Sequence, residues 1–432
     1  RKMAKNMYDF YKDAYSEIKG KIPERPYLDK QMSLPIYEGY SVANLPASIC
    51  NWLGSENTGM LPPLSFGEIY GDRFRHVILV IVDGLGAYQM EKIRDRLADN
   101  SWLQLISKYG IEKLLTSIVP SATAAALTSL WTGVSGGTHG LVGYETWMRS
   151  LGMVVNFLQY SPSSISSKPG LIGDAGILPE AILPVPTLGN HLMGGGIISR
   201  SHMPIALAHS NLTRAQMAGV SVVPYRRFGD LWENVKELLE ADREKVTFDS
   251  VYWNDLDTYN HLMGMNDNRI FIDLGSFFDG LARTVQALSR GNFGKTLVLV
   301  TADHGHIENT PDPNRDIKNH PELMRNLMIM PCGENRLTYF YPKSGKETAI
   351  RNYIEETWPD DFYLVSGQEL IADGIFGTAA FHPDLDNRIG EWVAIARGYA
   401  YFWWPNRPDK LYSRHGGLSD QEMIVPLMGL AL

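Results

Sequence analysis

The segment His76-Val-Ile-Leu-Val-Ile-Val82 runs without a polar break after its histidine and ends abruptly on Asp83-Gly84. A β-branched run with no in-out alternation suits a strand buried on both faces, the situation of an interior strand in a parallel sheet. Similar runs occur at 110–119, 246–253 and 296–301, and helical patterns fall between them at 88–97, 123–131, 228–241 and 270–288. Strands that alternate with helices predict an α/β fold on a doubly wound, mostly parallel sheet. With 432 residues the chain is long enough to bury such a core.

Residues 1–75 are expected to form an arm packed on that core. Met7, Phe10, Tyr11, Ala14 and Ile18 recur at helical spacing, and Pro23, Pro26, Pro35 and Pro46 then mark extended connections. Residues 76–432 are expected to form one domain. Within it 336–405 keeps a rhythm of its own: strand-like 337–341, helical 346–357, strand-like 362–365 and an aromatic-rich, strand-like 391–402. This predicts a small inserted α/β lobe at about 336–405.

Three apolar runs end in or near aspartate. Val82 gives way to Asp83, Ala302 to Asp303-His304-Gly305, and Trp253-Asn254 to Asp255 and Asp257. Ligands of open α/β sheets bind in the crevice beyond the carboxyl ends of the strands. One aspartate after a strand is commonly a cap or turn residue. Three of them, two with histidine partners, point to a shared crevice where protons or cations offset their repulsion. Asp257 and His261, four apart, fall on one helix face and form a chelating pair. Gly305 allows the chain to turn so that Asp303 and His304 face one centre. His415 lies in Ser413-Arg414-His415-Gly416-Gly417; His139 and His306 sit in similar glycine turns, a setting more usual for surface histidines. In Pro120-Ser121-Ala122-Thr123 small residues open a helix, whose first-turn N–H groups favour an anion beside Thr123. Thr123, like Ser121, also suits a plain helix cap.

Charge and composition narrow the partners. Lys and Arg number 40 against 48 Asp and Glu, a net charge of -8, which argues against a nucleic-acid grip on a basic surface. A small phosphorylated substrate stays compatible, because bound cations reverse the local field. Cys50 and Cys332 alone make neither a disulfide framework nor a zinc-finger spacing, so a reducing, cytoplasmic location is expected. No apolar run reaches the roughly 18 residues of a membrane span. Charges around Met7-Tyr8-Asp9-Phe10 break any signal-peptide core. A chain that opens on Arg1 is expected to be cut from a longer one, and an upstream signal would be lost with the cut part.

Taken in order, these segments resemble the alkaline phosphatase superfamily, and within it the type I phosphodiesterase / nucleotide pyrophosphatase family. The ordered set is strand-Asp83, Pro-x-x-Thr123 with Thr132-Gly133 and His139-Gly140 downstream, Asp257-x-x-x-His261, Asp303-His304-Gly305 and His415-Gly416. The resemblance implies an alkaline-phosphatase-like core. It implies one divalent cation on Asp257, His261 and His415, and a second on Asp83, Asp303, His304 and the Thr123 oxygen. Zinc is the family's usual metal and suits the nitrogen-plus-carboxylate set; manganese is the alternative. The implied reaction is two-metal hydrolysis of a phosphodiester or pyrophosphate bond through a covalent phospho-Thr123 intermediate.

The chain departs from nucleotide-cleaving relatives directly after Thr123. They commonly carry an aromatic, a proline and an asparagine there; this chain has Ala124, Ala125 and Ala126. That puts in doubt a nucleotide as substrate more than it does hydrolysis. Tyr144, Trp147, Trp253 and Tyr259 are the aromatics expected near a pocket. A phosphomonoesterase on the same site would need a further cation near Thr123, for which Arg200 and Arg414 are candidates by position. A sulfatase is disfavoured because threonine is not converted to that nucleophile, and a mutase because 336–405 is short and late in the chain. A catalytically silent binding module is the reading from another class; loss of ligand residues would be its mark.

Overall fold

The computed structural model describes residues 10–66, 73–165, 168–291, 293–378 and 380–432. Its centre is a seven-stranded sheet in the order Ile111–Thr116, Ile424–Ala431, Thr296–Thr301, His76–Val82, Thr247–Trp253, Ile198–Pro204, Ser221–Tyr225. Every pairing is parallel except the two made by Ile424–Ala431, which runs against both of its neighbours. All residues of His76–Val82, Thr247–Trp253 and Thr296–Thr301 are buried. Because successive side chains alternate between faces, this means that both faces of the sheet are covered. The helices Phe228–Ala241, Asn268–Arg290 and Ser101–Tyr109 pack in one group, and Leu45–Leu53, Thr123–Thr132 and Leu188–Gly194 in another.

Register sets up the crevice. Val82 stands opposite Trp253, and Ile81 opposite Thr301. Three neighbouring strands therefore end level, and the residues just beyond them, Asp83, Asp257 and Asp303, are delivered to one end of the sheet.

A second sheet, antiparallel throughout, has the order Phe362–Ser366, Trp392–Ala396, Leu337–Phe340, Cys332–Glu334, Glu145–Met148, Met153–Asn156, Ser161–Pro162. This sheet joins the strands of 332–396 to strands from 145–162. These are four residues or fewer and only partly buried, so no apolar run betrays them.

Of the N-terminal stripe, Met7 lies outside the described residues; Tyr11 and Ile18 are buried, whereas Phe10 is exposed. The helix Lys12–Lys21 leads to a segment that lies along the far end of the chain: Ser33 donates its N–H to Leu418 and Asp420 donates its own to Gln31, each at 2.8 Å. Buried Asp420 accepts from Tyr15 at 2.6 Å, Ser33 at 2.6 Å and Lys19 at 3.0 Å. Cys50 and Cys332 are buried free thiols. Among the described residues no helix is long and apolar enough to cross a membrane.

Candidate active site

Two groups of side chains meet beyond the level strand ends. Asp83, Asp303 and His304 form one; Asp257, His261, His306 and His415 form the other. The rings of His304 and His415 stack at 3.8 Å between centroids and join the groups. Thr123 opens the helix Thr123–Thr132, and its Oγ1 lies 3.1 Å from His304 Nε2. Ser121 ties this helix start to the His415 turn: its Oγ donates to Gly417 O at 2.7 Å and accepts the Gly416 N–H at 3.2 Å.

Hydrogen bonds assign the imidazole tautomers. Nδ1 of His261 faces Ser413 O at 2.8 Å, that of His304 faces Gly305 O at 3.1 Å, and that of His415 faces Ser121 O at 3.1 Å. A carbonyl only accepts, so each Nδ1 carries the proton and each Nε2 turns a lone pair inward, as a metal-binding imidazole must. His306 is the reverse. Its Nε2 lies 2.8 Å from Asp257 Oδ1, to which it donates, and its Nδ1 accepts from Ser413 Oγ at 2.9 Å. His306 therefore braces the Asp257 carboxylate and presents no lone pair of its own. Reading it as a surface-type histidine missed this, because its partners are distant in sequence.

The carboxylates divide in the same way. Asp303 Oδ1 accepts the N–H groups of Gly84 and His304, at 3.1 and 3.0 Å, and Asp83 Oδ2 accepts the Tyr252 hydroxyl. The other oxygens, Asp83 Oδ1 and Asp303 Oδ2, are buried with no hydrogen-bond partner. They stand 3.5 and 3.4 Å from His304 Nε2, while in the second group Asp257 Oδ1 stands 3.4 and 3.7 Å from His261 and His415 Nε2. Ligands at ~2.0–2.2 Å around a tetrahedral cation are separated by about these distances. Bare buried oxygens are costly unless something positive meets them. The donor set fits two divalent cations. Burial, with the charges of Asp303 and Asp257, pushes the Asp83 carboxyl well above its usual range. Burial also opposes ionisation of Asp257, but His261, His306 and His415 outweigh it and hold that carboxyl well below.

The model of the type I phosphodiesterase / nucleotide pyrophosphatase family matches residues 77–402. The chain belongs to this family. It is thus an enzyme of the alkaline phosphatase superfamily, in a family of metal-dependent phosphodiester and pyrophosphate hydrolases. No curated protein matches the chain in sequence. Solved structures share its fold: murine ectonucleotide pyrophosphatase / phosphodiesterase 5 has a TM-score of 0.61 at 16% identity, over 82% of this chain and 87% of that one. An inactive form of that murine protein in complex with AMP gives 0.60 at 17%, with the same coverage. Phosphonoacetate hydrolase from Sinorhizobium meliloti 1021, in complex with phosphonoformate, gives 0.62 at 16%, over 87% and 92%.

A cavity of about 360 Å³ opens from these two groups, lined by Thr123, Ala124, His261 and His415 among others. A larger groove of about 860 Å³, beside Tyr399 and Tyr412, holds none of the ligand candidates. Of the expected pocket aromatics only Tyr144 lines the smaller cavity, where it is joined by Trp403. Trp253 is in the core, stacked on Phe277; Trp147 packs on Tyr341, and Tyr259 binds Asp273. Asp255 is outside the site, accepting from Trp253 Nε1. Arg200 is far off, paired with Asp242 and Asp249 at the level of Ile78. Arg414 reaches the cavity wall but is held by Asp409 and by Asn335. His139 is fully buried under the Thr123 helix, bonded to Ser129 at 3.0 Å.

Proposed function

We propose that the chain hydrolyses phosphodiester or pyrophosphate bonds with Thr123 as nucleophile and two divalent cations, zinc by preference, on the two groups described. The observation that carries this reading is the set of inward-facing lone pairs and bare oxygens beside Thr123 Oγ1. Asp83, Asp303 and His304 would hold the cation shared with Thr123; Asp257, His261 and His415 would hold the other, with His306 as the brace on Asp257. Bound there, the cations would favour the Thr123 alkoxide and offset the charge that builds on the oxygens at phosphorus. Thr123 Oγ forms its bond to phosphorus as the bond to the leaving oxygen breaks, which leaves phospho-Thr123. Water then attacks the same phosphorus and restores the hydroxyl. Two in-line displacements give net retention. N–H groups of the first helical turn, at Ala124 and Ala125, lack i−4 partners and can hold a phosphoryl oxygen.

A diester is favoured over a monoester because the two arginines considered for the extra charge are both engaged by carboxylates. Thr123→Ala is expected to lower the hydrolysis of bis-p-nitrophenyl phosphate by at least ~10³-fold while two metal ions per chain stay bound. Turnover that survives this change would remove Thr123 from the mechanism. A paired rate comparison with p-nitrophenyl phosphate tests the diester preference.

A further inference from the structure

His415 is followed by Gly416-Gly417, and Gly416 has a φ of 102°. Two glycines bring no side chain to fix a turn, so the histidine beside them is only as steady as the neighbours make it. Ser121 Oγ takes the Gly416 N–H and binds Gly417 O. The Gly417 N–H goes to Glu422 Oε1 at 2.9 Å. Glu422 lies in the helical turn Asp420–Met423 and is fully buried. Its Oε2 accepts from Ser419, from Oγ at 2.5 Å and from the N–H at 3.3 Å, and so caps that turn. Its Oε1 accepts a second bond, from Arg336 Nε at 2.8 Å. Its backbone carbonyl accepts the N–H of Gly305, directly after His304, at 2.8 Å. One residue thus holds the turns behind both His304 and His415.

The anchor comes from the second sheet. Arg336 sits in the turn between Cys332–Glu334 and Leu337–Phe340, is 1% exposed, and donates through its Nη atoms to Ala400 O and Gly398 O. A cap on Asp420–Met423 needs only Oε2. Apolar residues of similar volume often serve stability as well as a buried ion pair does. What Arg336 adds is a fixed place for Oε1, and through it for Gly417. We propose that Glu422 is a positioning residue: anchored by Arg336, it sets the Gly416-Gly417 turn so that His415 Nε2 faces Asp257, 3.7 Å from its Oδ1. The second sheet would thereby help to hold a cation on the Asp257 group. Metal–ligand distances keep to within about 0.2 Å, so a small slip of this turn would be felt there. The inference rests on the two-cation reading proposed above.

Two substitutions separate reach from charge. Glu422→Asp keeps the charge but is too short to span Gly417 and Arg336, whereas Glu422→Gln keeps the reach and loses the charge. Competition for zinc between the full chain and a chelator reads the bound ions, and His415→Ala marks the one that belongs to the Asp257 group. Glu422→Asp should weaken that ion by at least ~10-fold and the other by less than about twofold. Glu422→Gln should stay within about threefold of wild type at both, while its urea midpoint falls because Arg336 is left unpaired. In the His415→Ala background, Glu422→Asp should cost less than about twofold more, since its partner in the effect is gone. Should Glu422→Asp not fold, Arg336→Met with Glu422→Met, which leaves neither charge of the pair nor an acceptor for Gly417, carries the same expectation. Unchanged affinity, equal weakening of both ions, a larger loss in Glu422→Gln than in Glu422→Asp, or an undiminished loss in the His415→Ala background overturns the inference. The expected pattern in a protein that hydrolyses no diester upholds it and sinks only the hydrolytic reading. A wild type that holds no ion at the Asp257 group sinks the two-cation reading and this inference with it.

Discussion

At the scale of single residues, the site is a matter of which atoms are left over once every local hydrogen bond is counted. His261, His304 and His415 spend Nδ1 on a backbone carbonyl, and His306 spends both nitrogens on Ser413 and Asp257. That difference makes a prediction. His306→Ala removes the donor from Asp257 Oδ1 and should weaken metal binding by ~10–100-fold at the Asp257 group alone. His306→Gln, which still offers an N–H, should recover part of the loss. Competition with a chelator reads both, and an unchanged affinity in His306→Ala would deny His306 its bracing role. The positions that converge were legible because Asp83, Asp303 and Asp257 each follow an apolar run, and because the Asp257–His261 spacing works only on a helix. His306 was not, since its tautomer depends on Ser413, which lies 107 residues away in the chain.

Among elements, the N-terminal helix acts on the far end of the chain. Tyr15, Lys19 and Ser33 converge on Asp420, five residues beyond His415, so the turn that carries His415 is fixed partly from residues 12–33. Removing two of the donors together, in Tyr15→Phe with Lys19→Met, should destabilise the fold by about 3 kcal/mol, because Asp420 is then a buried carboxylate with one remaining donor. A urea midpoint equal to that of the wild type would show that this clamp contributes nothing. Element prediction succeeded where one physical cause dominated: His76–Val82, Thr247–Trp253 and Thr296–Thr301 are buried on both faces and read as such. It missed Ile198–Pro204, where Arg200 and His202 look out of place until Asp249 on the next strand is seen to bind both. It missed Ile424–Ala431 because Pro426 and Gly429 argue against a strand.

At the scale of the whole molecule, His139 should cost the fold stability in mild acid. His139 is fully buried, with Nδ1 accepting the Leu141 N–H and Nε2 against Ser129 Oγ, an arrangement that suits only the neutral ring. Burial, helped by Arg388, lowers its pKa from 6.5 to about 3. Between these values the unfolded chain binds a proton that the folded chain refuses, so stability rises with pH across the window and is lost as pH falls through it. The His139 contribution alone should remove about 2 kcal/mol between pH 7 and pH 5. Urea unfolding of wild type and His139→Gln at both values checks this: the variant should lose correspondingly less, and equal losses would place the acid sensitivity elsewhere. The same global view gives the antiparallel strand Ile424–Ala431 a consequence in time. It lies between Ile111–Thr116 and Thr296–Thr301, so until it is made those two strands have no common neighbour and the sheet is divided. A chain emerging from the ribosome would have His415 and this strand delivered well after Asp83 and Thr123. The group of Asp257, His261, His306 and His415 would then be complete only once residue 415 is made, and a chain stalled short of it would lack one member of that group.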